Sequence, residues 1–220
     1  MNKIARIALL VVILMNMAAC SGAVAGISSN GKTTSRPNAI YEDDFSNPAS
    51  GWETWSDANG SFVAYQNGGL RILVKDSQFD YWSRPGNRFV DARVEVDAIK
   101  LAGPNDNDFG LICRYQDRNN FYAFLASSDG YAGILKVEDG KYKVISGTQL
   151  AFSPSLQQGE ALNHLQADCI GQTLALLANG QVVAQAQDGS FSAGEVGVIA
   201  GTNATPVVDI FFDNFVVSKP

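Results

Sequence analysis

Short turn sequences that separate runs of alternating apolar and polar residues are the strongest constraint on the fold of this chain. Asn67-Gly68-Gly69, Asp139-Gly140 and Asn179-Gly180 each lie between two such runs. Asn, Asp and Gly accept the positive φ of tight hairpin turns, so each sequence predicts a β-hairpin. No stretch carries a sustained apolar pattern with a helical period, although residues 153–161 have room for one helical turn. The chain is therefore predicted to be all-β.

Strand candidates follow one another at short intervals from residue 40 onward. A dozen or so short strands at regular spacing favour an antiparallel sandwich of two sheets. The composition does not shift again after residue 40 and no linker follows, so residues 40–220 are predicted to be one domain. The candidates outside the three hairpins are residues 79–83, 89–101, 109–116, 121–127, 162–170, 195–200 and 207–217.

Residues 1–19 have the composition of an export signal. Lys3 and Arg6 begin the segment, and residues 7–19 are then apolar apart from Asn16. This stretch is too short for a helix that spans a bilayer, which needs about 20 apolar residues. A charged start followed by a short apolar stretch is typical of a secretory signal peptide.

Met17-Ala18-Ala19-Cys20 resembles the lipobox of bacterial lipoproteins, in which the Cys thiol is acylated and becomes the mature N-terminus. The alternative is an ordinary signal peptide that is cut near Ala19 beside an incidental Cys. Residues 20–39 are rich in Ser, Gly, Ala and Thr, which favours a flexible tether. We therefore predict lipidation at Cys20 and an anchor on the extracytoplasmic face of a membrane in the cell envelope.

Charge and composition exclude several classes of function. The 220-residue chain has a formal net charge of −6 and no block of basic residues, which argues against a nucleic-acid partner. One His and three Cys are too few for a multi-His zinc site or a Cys-rich zinc ribbon. The sequence also lacks a phosphate-binding loop, a dinucleotide-binding fingerprint and a G-x-S-x-G motif, so no organic cofactor is predicted.

Five short motifs are spread along the predicted domain: DDFS at 43–46, GW at 51–52, FGLICRYQDRNNFYAF at 109–124, NGQVVAQ at 179–185 and FDNF at 212–215. Together they resemble the concanavalin A-like superfamily of laminin-G modules, legume lectins, family-16 glucanases and 3-keto-disaccharide hydrolase-like domains, most closely the last group. The resemblance implies an all-β fold, a two-sheet antiparallel jelly-roll sandwich whose terminal strands lie side by side. This fold carries lectins, enzymes and adhesion modules alike, so it does not determine the function.

Glu95-Val96-Asp97-Ala98-Ile99-Lys100 is the nearest match to the catalytic Glu-x-Asp-x-x-Glu strand of family-16 glucanases. Retaining hydrolysis needs two carboxyl groups about 5–5.5 Å apart, but Lys100 stands where that motif has its second Glu. Arg93, Glu95 and Asp97 share one face of the strand, which favours a solvated charged face. His164 lies at a strand start and is interpreted as structural. The sequence leans against catalysis, with an atypical glycoside hydrolase as the alternative.

With Cys20 assigned to lipidation, Cys113 and Cys169 remain, and both lie in predicted strands. The compartment outside the cytoplasmic membrane permits oxidation, so we predict a disulfide between them. The alternative is a pair of buried thiols on separate strands, because a bridge needs Cα atoms within about 7 Å of each other.

A glycan site needs aromatic and hydrogen-bonding side chains on one exposed sheet face, because sugars stack on Trp and Tyr while Arg and Asp bind their hydroxyls. If Cys113 faces the core, strand alternation turns Arg114 outward. The resemblance places this strand on the concave sheet, which implies a ligand-binding role for Arg114 with Tyr122 and Trp82 beside it. The predicted function is a non-catalytic, surface-anchored module for a glycan. A structural envelope lipoprotein with an unknown protein partner is a further alternative.

Asp44 and Asp213 belong to the two terminal motifs that the resemblance places side by side. Two adjacent carboxylates repel unless a cation or proton intervenes, and several jelly rolls of this superfamily hold calcium at a sheet edge. Asp44 and Asp213 are therefore predicted ligands of a structural calcium ion. The alternative is that each accepts backbone N–H bonds at a strand end. The polar run Asn105-Asp106-Asn107-Asp108 lacks EF-hand spacing and is interpreted as a solvated loop.

Overall fold

The computed structural model describes residues 38–220. The predicted signal peptide, Cys20 and the tether up to residue 37 lie outside this range. Seventeen β-strands form within it, and none of residues 38–220 is helical, so no described helix could cross a membrane. The strands are β1 (Ala39–Asp43), β2 (Trp55–Ser56), β3 (Phe62–Gln66), β4 (Gly69–Val74), β5 (Phe79–Ser83), β6 (Arg88–Phe89), β7 (Ala92–Ala102), β8 (Asn107–Asp117), β9 (Asn120–Ala126), β10 (Tyr131–Glu138), β11 (Lys141–Val144), β12 (Ala151–Phe152), β13 (Asn163–Ile170), β14 (Thr173–Ala178), β15 (Gln181–Gln187), β16 (Gly194–Thr202) and β17 (Val208–Ser218).

The three predicted hairpin turns are confirmed, and they join β3 to β4, β10 to β11 and β14 to β15. Asn67, Asp139 and Asn179 have φ values of 56°, 51° and 52°, and a Gly with positive φ follows each of them. Two consecutive residues with positive φ are the mark of a type I′ turn, whose twist matches that of the flanking strands. Residues 153–161 form turns and bends rather than a helical turn.

The strands assemble into two antiparallel sheets, which confirms the predicted all-β sandwich. The first sheet has the order β15-β14-β13-β7-β17-β4-β3-β2, and β1 also pairs with β17. The second has the order β11-β10-β9-β8-β16-β5, with β12 paired to β10 and β6 to β16. The terminal strands β1 and β17 lie side by side, with Asp43 opposite Phe215. This pairing is the one that the resemblance implies.

The main core lies between the two sheets. Along β7 the side chains of Val94, Val96 and Ala98 are buried, whereas Arg93 and the other alternate residues are only half-buried on the outer face. Each fully buried Val side chain stabilises the fold by about 1.5–3 kcal/mol. The predicted disulfide is confirmed: it links Cys113 of β8 to Cys169 of β13 with the two Cα atoms 6.9 Å apart. The bridge therefore ties one sheet to the other through the core.

A second apolar layer covers the outer face of the second sheet. Ile112, Phe121, Ala123, Val137 and Ile199 are fully buried in this layer, although they point away from the main core. Trp82, Val144 and Leu150 pack over them. Strands buried on both faces carry continuous apolar runs instead of alternating ones, as residues 121–126 do here. The outer face of this sheet is consequently a mostly apolar surface on which a groove can form.

Candidate functional site

A groove of about 540 Å³ lies on the outer face of the second sheet, and we call it the outer groove. Its volume is within the range of small-ligand sites in proteins, about 300–1,000 Å³. Apolar side chains form most of its walls, and a small set of polar groups points into it. It is lined by Gln78, Phe79, Asp80, Trp82, Asp108, Leu125, Leu135, Tyr142, Leu150, Thr202 and Asn203.

Two carboxylates flank a glycine on the floor of the outer groove. Gly201 of β16 pairs with Asp80 of β5 on one side and with Asp108 of β8 on the other. A Cβ atom at Gly201 would overlap the Asp80 carboxylate oxygen Oδ1. The missing side chain therefore lets the Asp80 carboxylate lie over β16, in the direction of Asp108.

Burial raises the pKa values of both carboxylates of the outer groove, and repulsion from neighbouring carboxylates adds to the rise at Asp108. Burial raises the pKa of Asp108 to about 7, and repulsion from Asp80, Asp106 and Asp129 adds to this effect. Burial also raises the pKa of Asp80 to about 6, although a hydrogen bond from the Tyr142 hydroxyl opposes the rise. Perturbed carboxyl groups in a cleft are typical of functional sites. The pair is therefore the chemically distinctive feature of this groove.

Trp82 forms an aromatic wall of the outer groove. Its ring is half-buried and packs on Phe121 and Tyr115 at centroid distances of 5.4 and 6.2 Å. Behind it, the Arg84 guanidinium lies 3.9 Å from the centroid of the Tyr115 ring and forms ion pairs with Glu53 (2.6 Å) and Glu195 (2.5 Å). These contacts hold the ring of Trp82 in place without a ligand.

A second groove of about 430 Å³ shares Phe79, Asp80 and Trp82 with the outer groove. We call it the edge groove, because β5 is the last strand of the second sheet. Its other lining residues are Glu53, Trp55, Asp57 and Tyr81. The rings of Trp55 and Tyr81 contact each other edge to face, with centroids 4.4 Å apart. The two grooves place two tryptophans and several carboxylates around one strand.

Of the three predicted ligand-binding residues, Trp82 alone lines the outer groove. Arg114 is 2% exposed and donates hydrogen bonds to the main-chain carbonyls of Val90 (3.3 Å) and Phe191 (2.8 Å). The expectation that it faces outward is wrong, because a β-bulge between Cys113 and Asp117 interrupts the alternation and gives Arg114 a φ of 52°. Tyr115 takes the position on the outer face instead.

Tyr122 is fully buried in the core between the sheets and does not reach the outer groove. Its hydroxyl donates a hydrogen bond to Asp188 and accepts one from the Phe191 main-chain N–H at 3.2 Å. These contacts connect β9 to the segment that precedes β16. Tyr122 therefore contributes to the interior of the fold at a position that a ligand in the groove cannot contact.

Asp44 and Asp213, the predicted calcium ligands, each accept hydrogen bonds from their own chain neighbours. Asp44 accepts from the main-chain N–H of Ser46 at 3.0 Å and from its hydroxyl at 2.6 Å, and Asp213 accepts from the Asn214 N–H at 2.7 Å. Burial, together with repulsion from Asp97 and Asp44, raises the pKa of Asp213. Within residues 38–220, no group of three or more His, Cys, Asp or Glu side chains is placed to hold a metal ion. Calcium at Asp44 and Asp213 stays a prediction.

The glucanase-like strand β7 presents Glu95 and Asp97 on the outer face of the first sheet. His164 of β13 lies across from them, with Nδ1 2.7 Å from Asp97 Oδ1 and Nε2 3.5 Å from Glu95 Oε1. The two carboxylates raise the pKa of His164 to about 9, so the imidazole is positively charged near neutral pH. Lys100 is buried and donates to the carbonyl of Gly103 and to Asn105 Oδ1. This arrangement forms a charge-paired sheet face.

Sequence reasoning missed the carboxylate pair of the outer groove. Alternation along β5 could have placed Asp80 on the same face as Trp82, because the two residues are two positions apart. The residues around Asp108 indicate only a polar loop. In the structure that loop divides: Asn107 is fully buried and hydrogen-bonded to Pro104 and Ser128, whereas Asp108 begins the outer face of β8.

Asp108→Asn is expected to stabilise the protein at pH 8 and to leave its stability unchanged at pH 3. The pKa of Asp108 is about 7 in the fold, above the ordinary value of 3.8. The fold therefore favours the protonated form of Asp108, and the free energy of unfolding decreases as the pH rises from about 4 towards 7. A shift of this size corresponds to at most about 4 kcal/mol. Because Asp108 is only half-buried and water screens its charge, the expected gain at pH 8 is about 2 kcal/mol in the free energy of unfolding, measured by urea titration at both pH values. Glu160→Gln, at an exposed position, is the control and should change stability little at either pH. A gain of equal size at both pH values would contradict the prediction.

Comparisons with known proteins show the fold. No protein-family model matches the chain, and no curated protein matches it. Among solved structures, the carbohydrate-binding module CBM66 from Bacillus subtilis superposes with a TM-score of 0.61 at 20% identity, covering 77% of this chain and 96% of that one. A Bacillus subtilis protein of unknown function with a galectin-like fold gives 0.58 at 12% identity, covering 82% and 96%.

A third similar structure is the GH43 protein BlXynB from Bacillus licheniformis, with a TM-score of 0.62 at 15% identity. It covers 81% of this chain, but this chain covers only 39% of that larger protein. At these identities the likeness establishes an all-β, two-sheet jelly-roll sandwich and leaves the function to the chemistry of the site.

Proposed function

We propose that residues 40–220 form a non-catalytic module that binds a glycan in the outer groove, held outside a membrane by acylated Cys20 and the tether. The observation that carries this proposal is the juxtaposition of an aromatic wall, Trp82, with the carboxylates of Asp80 and Asp108 in one groove. A sugar ring has an apolar C–H face and a rim of hydroxyl groups. The groove offers a matching surface for both.

Each part of the groove has a counterpart on a sugar. The Trp82 ring is already fixed by its packing on Phe121 and Tyr115, so stacking on it costs little conformational entropy. Carboxylate oxygens of Asp80 and Asp108 accept hydrogen bonds from hydroxyl groups, and such charge-assisted bonds are stronger than neutral ones. Asn203 adds an amide group at the end of the groove. The likeness to a carbohydrate-binding module supports this proposal at the level of the fold.

Trp82→Ala is expected to weaken glycan binding at least tenfold, because the variant removes the aromatic wall. Binding partners would be identified on a glycan array, and affinities would then be measured by calorimetry. Val182→Ala is the control: Val182 is an exposed residue on β15 of the first sheet, so its removal should leave affinity unchanged. Equal affinities for wild type and Trp82→Ala would place the binding surface elsewhere. A wild-type protein that binds no glycan on the array would overturn the proposed function.

Hydrolysis of a glycoside is the second candidate function, and the carboxylate pair is the observation that favours it. Glycosidases need one carboxyl group that is protonated and one that is ionised at the working pH. Asp108 and Asp80, with pKa values of about 7 and about 6, meet that requirement near pH 6.5. If the wild-type protein releases reducing ends from a bound oligosaccharide and Asp108→Asn does not, hydrolysis replaces binding as the proposed function. Binding without turnover would support the non-catalytic module.

A further inference from the structure

The outer groove is acidic, and none of the residues that line it is basic. Asp80 and Asp108 form no ion pair with any other residue in the range 38–220. Arg84, which packs on Tyr115 behind Trp82, is already shared between Glu53 and Glu195. The negative charge that these two carboxylates carry when they are ionised is therefore not balanced by a cationic side chain of the described part of the chain.

The repulsion in this groove comes from several elements. Asp80 lies on β5 and Asp108 on β8, while Asp106 precedes β8 and Asp129 lies in the turn between β9 and β10. An anionic ligand would add to this repulsion, and the Coulomb cost grows in a site that is partly shielded from water. A cationic group placed between Asp80 and Asp108 would relieve it.

A metal ion and an ammonium group are the two chemistries that such a site can take. Calcium prefers six to eight oxygen ligands, whereas no group of three or more acidic or His residues is placed to hold a metal within residues 38–220. An ammonium group has three donors and needs only two or three acceptors. Trp82 beside the carboxylates adds an aromatic face, which attracts a cation and stacks on a sugar ring. The groove therefore fits an amine carried on a sugar.

Building on the proposed function, we propose that the outer groove selects saccharides that carry a free, protonated amino group, such as glucosamine oligomers. In the bound state the ammonium group lies between the Asp80 and Asp108 carboxylates, over Gly201, and a sugar ring stacks on Trp82. Saccharides with carboxylate or sulfate groups are excluded by the same charges. N-acetylated and neutral oligomers bind through stacking and hydroxyl contacts alone.

Calorimetry at pH 6.5 with four hexasaccharides tests this selectivity: glucosamine, N-acetylglucosamine, xylose and galacturonic acid hexamers. We expect the glucosamine hexamer to bind at least tenfold more tightly than the N-acetylglucosamine hexamer, and the galacturonic acid hexamer not to bind. Asp80→Asn and Asp108→Asn should each reduce the affinity for the glucosamine hexamer at least tenfold and change that for the N-acetylglucosamine hexamer less than threefold. Glu160→Gln also removes one negative charge, from an exposed position, and should change neither affinity.

The outcomes separate the selectivity from the proposed function itself. Equal binding of the amino and N-acetylated hexamers overturns the selectivity and leaves glycan binding intact. Equal losses in Glu160→Gln and Asp108→Asn show nonspecific attraction to an acidic protein and also overturn the selectivity. A folded wild-type protein that binds none of these hexamers, and nothing on the glycan array, overturns both. A last titration uses calcium chloride alone. Calcium binding by the wild type that is lost in Asp108→Asn would show that the groove is a metal site and would overturn the selectivity for amino groups.

Discussion

Replacement of both Cys113 and Cys169 by Ala is expected to lower the free energy of unfolding by about 4 kcal/mol. The bridge joins β8 of the second sheet to β13 of the first and spans a sequence separation of 56 residues. A loop of this length restricts the unfolded chain strongly, which is where most of the stabilisation by a disulfide arises in the chain-entropy account. Urea titration of the oxidised wild type and the double variant measures the difference.

Reduced wild-type protein is the matched control for this variant. It keeps both sulfur atoms in the core, where each Cys is 1% exposed, and loses only the covalent link. Its stability should therefore lie close to that of the double variant and slightly above it, because the Ala side chains leave a small gap. If the free energy of unfolding of the double variant lies within about 1 kcal/mol of that of the oxidised wild type, the assigned role of the bridge is contradicted.

The hairpins and the sandwich were predictable because the signals that specify them are local. Asn67, Asp139 and Asn179 adopt positive φ in the structure, as the turn sequences require. The charged face of β7 follows from simple alternation, which the half-buried Arg93, Glu95 and Asp97 confirm. The second apolar layer was not predicted, because burial on both faces depends on which distant strands and loops cover the sheet. Trp82 and Leu150, which lie far apart in sequence, provide part of that cover.

The site was less predictable because it depends on pairing between distant strands. The Asp80 carboxylate lies where it does because Gly201, more than a hundred residues away, has no side chain. Tyr142 of β11 then reaches Asp80 of β5, although these two strands are at opposite ends of the sheet order. The residues next to Asp80 in the sequence indicate neither of these two contacts. Trp82 was predictable because its large aromatic side chain is a candidate by residue type alone.

Arg114 shows how one local irregularity reverses a prediction. Strict alternation from the buried Cys113 assigns it to the outer face, where removal would weaken ligand binding and spare the fold. The β-bulge that follows Cys113 shifts the register by the time the strand reaches Asp117. The side chain then turns towards the main-chain carbonyls of Val90 and Phe191 and towards Asp91 at 3.3 Å. The bulge thus converts a predicted ligand-binding residue into a buried structural one.

Arg114→Ala is therefore expected to destabilise the protein by about 3 kcal/mol, because the carbonyls of Val90 and Phe191 would lose their buried, charged donor. The stability of Arg114→Lys should lie between those of the wild type and Arg114→Ala, since one ammonium group cannot replace a planar guanidinium that reaches three acceptors. Arg88→Ala is the control: this Arg lies on β6, is exposed and makes a single side-chain contact at 3.3 Å to Gln116, so the change should stay within about 0.5 kcal/mol. Urea titration measures all three variants.

Glycan affinity of the folded Arg114→Lys variant separates the two assignments of Arg114. The outer groove is lined by residues of β5, β8 to β11 and β16 and by Gln78, Leu150 and Asn203 beside strand ends, and it does not include Arg114. Affinity should therefore stay within about twofold of wild type, a difference of about 0.4 kcal/mol. Loss of binding at wild-type stability would instead restore the outward-facing role that alternation predicts. Arg114→Lys is expected to lose stability and keep its glycan affinity, whereas Trp82→Ala is expected to lose glycan affinity. The two positions together therefore show whether the bulge or the alternation decides where the ligand can lie.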